Sequence, residues 1–249
     1  MHKIGLVSIS FRGHTPEEIF AAAADAGIDC IEWGSDVHAP CMDILRLEQI
    51  AWLQEEYGID CCSYGTYFRL GITPMGELPD YIRAAKTLGT RVLRLWCGDR
   101  KASDCTVQAR ENLFAQCVEA ARVAEREGVV LCLECHQGTY TETAEGALEL
   151  MQAVDSAAFR MYWQPNQFRT PEENVAYLRK LRPYITNLHV FQWKGGARFP
   201  LDAGMEEWTA YLRELPGGHH LLLEFMPDDD IHSLGRETAT LRKLTGGSI

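Results

Sequence analysis

Short apolar runs alternate with longer amphipathic stretches from one end of the chain to the other. The runs fall near 3–8, 29–33, 59–64, 91–96, 129–134, 159–164, 184–190 and 220–224. Their length and their content of Val, Ile and Leu predict buried strands. Between them, stretches near 16–26, 43–57, 78–88, 105–127, 143–153, 171–181, 206–214 and 232–243 carry helical spacing. Eight strands and eight helices over 249 residues give one unit per about 31 residues, the density of a closed barrel. The fold class expected is α/β, a single (β/α)8 TIM barrel forming one domain over residues 1–249.

Local signals support these elements. Thr15-Pro16-Glu17-Glu18 and Thr170-Pro171-Glu172-Glu173 each place a hydroxyl cap before a proline and a glutamate at a helix start. Gly27, Gly58, Gly89 and Gly128 each stand where a helix must stop before the next strand. An open doubly wound sheet would usually carry a glycine-rich turn after the first strand. Here that turn is Ser8-Ile9-Ser10-Phe11-Arg12-Gly13-His14, with neither a dinucleotide fingerprint nor a P-loop.

The chemistry lies at the ends of the later strands. Four successive apolar runs finish in Glu134, Gln164, His189 and Glu224, each able to donate to a metal ion. One strand-end carboxylate is commonplace, but four donors in one register imply a shared site at the C-terminal edge of a closed sheet. Gln164 is the uncharged member, and its amide could instead bind substrate or support a ligand. Softer pocket candidates at or past strand ends are His38, Arg94, Trp96, His136 and Gln192. Trp33, Tyr67, Trp96, Phe191 and Trp193 could offer aromatic faces to a sugar. The segment Lys194-Gly195-Gly196-Ala197-Arg198 reads as a flexible cationic loop, either solvated or facing an anionic group.

Composition narrows the partners. A net charge of −11 argues against a general nucleic-acid surface. No apolar stretch is long enough to span a membrane, and the chain opens directly in a strand. Nine cysteines, several within strand runs, read as free buried thiols, and Cys132-x-x-Cys135 as structural. A cytoplasmic location is expected, with self-association left open.

The ordered set Ala26-Gly27-Ile28-Asp29-Cys30-Ile31-Glu32-Trp33, Leu131-Cys132-Leu133-Glu134-Cys135-His136, Asn187-Leu188-His189-Val190-Phe191 and Leu222-Leu223-Glu224 resembles the sugar phosphate isomerase/epimerase superfamily. These are the xylose isomerase-like barrels, which include ketose 3-epimerases, hydroxypyruvate isomerase and inosose dehydratase. The resemblance covers the whole chain. It implies one divalent cation (Mn, Mg, Co or Zn) held by Glu134, Gln164, His189 and Glu224. Gln164 stands where the family has an aspartate, and Gln167 where many members have a substrate-touching histidine. The ligand set therefore carries two negative charges instead of three, which implies a weaker, more exchangeable ion.

An ion chelated by neighbouring carbonyl and hydroxyl oxygens acidifies the intervening C–H and stabilises an enediolate. Glu134 and Glu224 are the expected catalytic pair, one removing the proton and the other returning it. His38, Trp96, His136, Gln167 and Lys194 are the expected contacts to a small sugar or polyol. The expected activity is isomerisation or epimerisation of a keto sugar, sugar phosphate or polyol ketone. A dehydratase of the inosose type and a non-catalytic sugar-binding barrel are the alternatives. An abasic-site endonuclease would need three zinc ions, a histidine cluster on the second and third strands, and a basic groove. The chain has neither the cluster nor the charge.

Overall fold

The computed structural model describes residues 2–215 and 217–246. Eight parallel strands close into a barrel: β1 (Lys3–Val7), β2 (Cys30–Gly34), β3 (Asp60–Leu70), β4 (Val92–Cys97), β5 (Val130–Glu134), β6 (Phe159–Trp163), β7 (Ile185–Val190) and β10 (His220–Leu223). Closure comes from β10 pairing with β1 in the register Lys3↔His220 to Leu6↔Leu223. Helices follow the strands as α1 (Pro16–Ala26), α2 (Ile44–Tyr57), α3 (Leu78–Thr87), α4 (Val107–Glu127), α5 (Ala144–Val154), α6 (Pro171–Leu181), α7 (Met205–Arg213) and α8 (Leu234–Leu244). Both expected capping boxes form, with Thr15 accepting from the Glu18 amide and Thr170 from that of Glu173.

Two features depart from the sequence reading. β3 runs on to Leu70, with a register shift against β4 between Gly65 and Arg69. The segment read as a flexible loop is instead a hairpin of β8 (Gln192–Lys194) and β9 (Ala197–Phe199). Gly195 and Gly196 supply positive φ values of 55° and 87° at its two-residue turn, which fits the twist of the flanking strands.

Alternation along the strands sorts their side chains into two cores. Leu131 and Leu133 join the large cluster between strands and helices, with Trp163, Leu188 and Leu221. Their neighbours Cys132 and Glu134 point the other way. A small cluster of Val7, Cys30, Cys62, Cys132, Tyr162 and Leu222 fills the barrel interior. One pleat further along stand Glu32, Arg94, Glu134, Gln164, His189 and Glu224. On β2, β4, β5, β6 and β10 an inward position thus becomes polar two residues after it was apolar, while on β7 the buried Asn187 precedes His189, and the polar layer rests on a packed floor. Truncating an outward leucine such as Leu133, fully buried, would cost about 2–5 kcal/mol.

Candidate functional site

At the C-terminal ends of the strands lies a cavity of about 370 Å³. Arg94, Glu134, Gln164 and Glu224 line its base, with Tyr67, Trp96, Phe191, Trp193 and Phe225 on its walls. His189 lies just beneath, 1% exposed. Its Nδ1 is 3.2 Å from Gln164 Oε1, 3.4 Å from Glu224 Oε2 and 3.9 Å from Glu134 Oε1. The structure therefore brings together all four strand-end donors that the sequence singled out.

Three of the four donors are held by contacts at their own strand ends. The Gln164 amide donates to Cys135 Sγ at 3.3 Å, and the Cys135 thiol donates to the Gln164 carbonyl at 3.5 Å. Burial pushes the Cys135 thiol up to about 12, so it stays a donor. Glu224 donates its amide to Val190 O at 3.0 Å. Phe225, next in the chain, turns away at φ 54°, and its amide is tied to Ser10 Oγ at 3.0 Å. A left-handed non-glycine residue beside a site carboxylate is a strained position that its neighbours must hold. Thr141 Oγ1 donates to Glu134 O at 2.7 Å, and Trp96 Nε1 donates to Glu134 Oε2 at 2.7 Å.

Two members of the polar layer carried no assigned role or only a soft one in the sequence reading. Glu32, wholly buried on β2, accepts from Ser63 Oγ at 2.6 Å and lies 3.4 Å from both Arg94 Nε and His189 Nε2. Arg94, 1% exposed, reaches Glu134 Oε2 at 3.2 Å. The signal for Glu32 was present in the pattern: Cys30-Ile31-Glu32 and Cys132-Leu133-Glu134 repeat one inward cysteine followed by an inward glutamate.

The electrostatics follow from this crowding. Burial alone would raise Glu32, but His189 and Arg94 outweigh it and bring the carboxyl down to about 2. Burial likewise opposes ionisation of Glu134, and Arg94 and His189 reverse it, leaving the group low. Burial would lower His189, yet Glu224, Glu32 and Glu134 lift it to about 9. Burial raises Glu224 to about 7, against the attraction of His189. Arg94 is raised further above its ordinary range by the carboxylates around it, although burial opposes this.

The donor set suits one hard divalent ion in chemistry and charge. Glu32 and Glu134 contact the Arg94 guanidinium and Glu224 contacts His189, so with the imidazole neutral, as a ligand must be, the cluster keeps two negative charges that a divalent ion would balance. Glu224 Oε2 is buried without a hydrogen-bond partner. The spacing is not closed: among the described residues no three His, Cys, Asp or Glu side chains stand ready-made around one ion. Glu134 is drawn aside by Trp96 and Arg94.

Of the expected substrate contacts, Trp96, His136 and Gln167 line the cavity. Gln167 Oε1 accepts from the Gly196 amide at 2.8 Å and so pins the hairpin turn. His136 lies against Trp96 with ring centroids 5.3 Å apart. His38 does not line it. Its ring is buried between Ser8 Oγ at 3.1 Å and His14 O at 3.2 Å, a satisfied core histidine. Lys194 lies outside, paired with Glu207 at 2.8 Å beside a smaller adjoining cavity that Gln192 also lines. Arg198 stacks on Trp193 and Phe225 at 5.3 and 5.2 Å and pairs with Asp229, so the cations of this segment are engaged. Trp33 is core, packed on Phe20 at 5.1 Å. All nine cysteines are free thiols. No helix among the described residues is long and apolar enough to cross a membrane.

The closed parallel barrel is a (β/α)8 fold, and its buried carboxylate–imidazole cluster stands at the strand C-terminal ends, the face where barrels of this fold carry their active sites. The chain belongs to the xylose isomerase-like TIM barrel family, whose model matches residues 20–243. No curated protein sequence matches it. Among solved structures it is similar to the probable 3-DHS dehydratase AsbF of Bacillus anthracis, at 19% identity and TM-score 0.80, covering 97% of this chain and 98% of that one. It is also similar to D-psicose 3-epimerase with D-tagatose from Clostridium cellulolyticum H10, at 14% identity and TM-score 0.72, covering 98% of each. A third is the IOLI protein with a bound zinc atom, at 16% identity and TM-score 0.72, covering 98% of each. At these identities the likeness is one of fold.

Proposed function

We propose that this protein is a divalent-metal-dependent isomerase or epimerase acting on a keto sugar, sugar phosphate or related polyol ketone. The observation that carries the reading is the convergence of Gln164, Glu224 and Glu134 oxygens on His189 Nδ1, at 3.2, 3.4 and 3.9 Å, at the base of an aromatic-walled cavity. Glu134, Gln164, His189 and Glu224 would hold the ion, which when bound would polarise a carbonyl and stabilise enediolate charge.

The protein's own groups do the rest. Glu134 is presented from β5 and Glu224 from the end of β10, with β6 and β7 between them in the barrel order. Two carboxylates separated in this way can remove a carbon-bound proton and return one from another direction. Arg94 and Trp96 hold Glu134 by one oxygen, leaving Oε1 for chemistry. Phe191, Trp193 and Phe225 line the cavity and would offer apolar faces to the C–H surface of a bound sugar.

Dehydration is the second reading. His136, at the cavity wall with Nδ1 bonded to Gln137 O at 2.7 Å, would be the group to protonate a departing hydroxyl in this reading. The test is proton exchange into keto sugars, inososes and their phosphates in deuterated water, with Mn, Mg, Co or Zn supplied and then removed by chelator. Metal-dependent exchange supports the reading, and the product separates isomerase, epimerase and dehydratase. Sugar binding without exchange on any substrate would instead mark a binding barrel.

A further inference from the structure

Glu32 is the least exposed carboxylate of the polar layer, and it does not border the cavity. Its environment is nevertheless built for a charged group. Ser63 Oγ donates to Oε2 at 2.6 Å, while Oε1 faces both Arg94 Nε and His189 Nε2 at 3.4 Å. The neighbouring strand gives way to it: a Cβ on Gly65 would stand 2.7 Å from Glu32 Oε1 and 3.1 Å from Arg94 Nη2. Glycine at that position leaves the room that the Glu32–Arg94 pair occupies.

The two nitrogens of His189 face different worlds. Nδ1 meets the oxygens of Gln164, Glu224 and Glu134, whereas Nε2 is buried, has no hydrogen-bond partner, and lies nearest to Glu32. A contact of 3.4 Å is long for a hydrogen bond. A metal-ligating histidine generally donates its other N–H to a carboxylate, carbonyl or water, and Glu32 Oε1 is the acceptor that Nε2 faces.

Resting on the metal-dependent reading above, we infer that Glu32 is a positioning residue. It takes the Nε2–H of His189, fixes the imidazole tautomer, and so commits Nδ1 to the cation. Arg94, shared between Glu32 and Glu134, ties the orientation of the imidazole to that of the β5 carboxylate. An outer carboxylate on a ligating histidine generally accounts for 10- to 100-fold in metal affinity.

Two measurements test this. Glu32→Gln should weaken Zn²⁺ binding by about 10- to 100-fold while the thermal transition remains cooperative. Affinity within about twofold of the unaltered protein would overturn the inference. The second measurement leaves Glu32 unaltered: long-range ¹H–¹⁵N spectra of the ¹⁵N-histidine-labelled protein titrated with Zn²⁺, with His189 assigned by its absence in His189→Gln. The expected result is a ligand shift at Nδ1 with the proton retained at Nε2. Metal at Nε2 with the proton at Nδ1 would overturn the role of Glu32 and leave the metal reading standing. No shift at any histidine would overturn both. If Glu32→Gln does not fold, the spectrum decides alone.

Discussion

Trp96 donates its indole N–H to Glu134 Oε2 at 2.7 Å, the same oxygen that Arg94 Nη1 approaches at 3.2 Å. One oxygen of Glu134 is thereby occupied, and the other is left facing His189. Trp96→Phe would keep an aromatic face against Tyr67 and His136 and beneath the Arg69 and Arg94 guanidinium groups, while deleting the donor. A hydrogen bond to a charged group is worth about 1.5–3 kcal/mol, so the melting temperature should fall by several degrees, and turnover by roughly 10- to 100-fold if the same bond orients Glu134 in the transition state. Unchanged turnover would show that the bond does not orient Glu134 for chemistry.

Glu134→Gln and Glu224→Gln should each abolish solvent exchange while keeping the fold. Each carboxylate is assigned both an ion to hold and a proton to carry. Loss of a general acid or base commonly costs about 10²–10⁴-fold. The check is exchange kinetics beside a far-UV spectrum, and near-normal exchange in either variant would remove that residue from the mechanism.

Gln164→Asp should tighten binding of the divalent ion. The amide contributes an oxygen dipole and no charge, and hard cations respond to the charge of their oxygen ligands. Turnover need not rise with affinity, because a more neutralised ion is a weaker Lewis acid. Metal titrations of both proteins at one pH are decisive. Equal or weaker affinity in the variant would make Gln164 part of the substrate-facing wall.

His38 should make the fold sensitive to acid. Burial holds its pKa below the ordinary 6.5, despite hydrogen bonding to His14 O. The unfolded chain therefore binds a proton near 6.5 that the folded protein refuses, and stability falls as pH drops below about 6.5. His38→Gln removes this loss. His189, raised to about 9, contributes stability that is complete below the unfolded value and fades as pH rises towards 9, and it is common to both proteins. In thermal melts the advantage of the unaltered protein over His38→Gln should shrink between about pH 7 and pH 5. A constant difference would contradict a buried neutral His38.

The sequence by itself determined the barrel. Eight apolar runs at strand length, spaced by helical periodicity and closed by caps such as Thr15 and Thr170, leave little room for another architecture, because each level of local preference agrees with the rest. Strand-end register likewise drew Glu134, Gln164, His189 and Glu224 to one edge, since β5, β6, β7 and β10 are neighbours in the sheet. What the tertiary structure decided was which polar residues face inward and what they meet there. A one-residue step along a strand moves a side chain to the opposite face, so Glu32 joins the layer while Trp33, its neighbour, packs against Phe20. His38 stands past a strand end, as Trp96 and Gln167 stand near theirs. Only the path of the loop after β2 turns its ring towards Ser8 and His14 and away from the cavity. The pairings of Arg94 with Glu32 and Glu134, and of Arg198 with Asp229, join segments 31 to 62 residues apart in the chain, and no local pattern in a sequence records a partner at that distance.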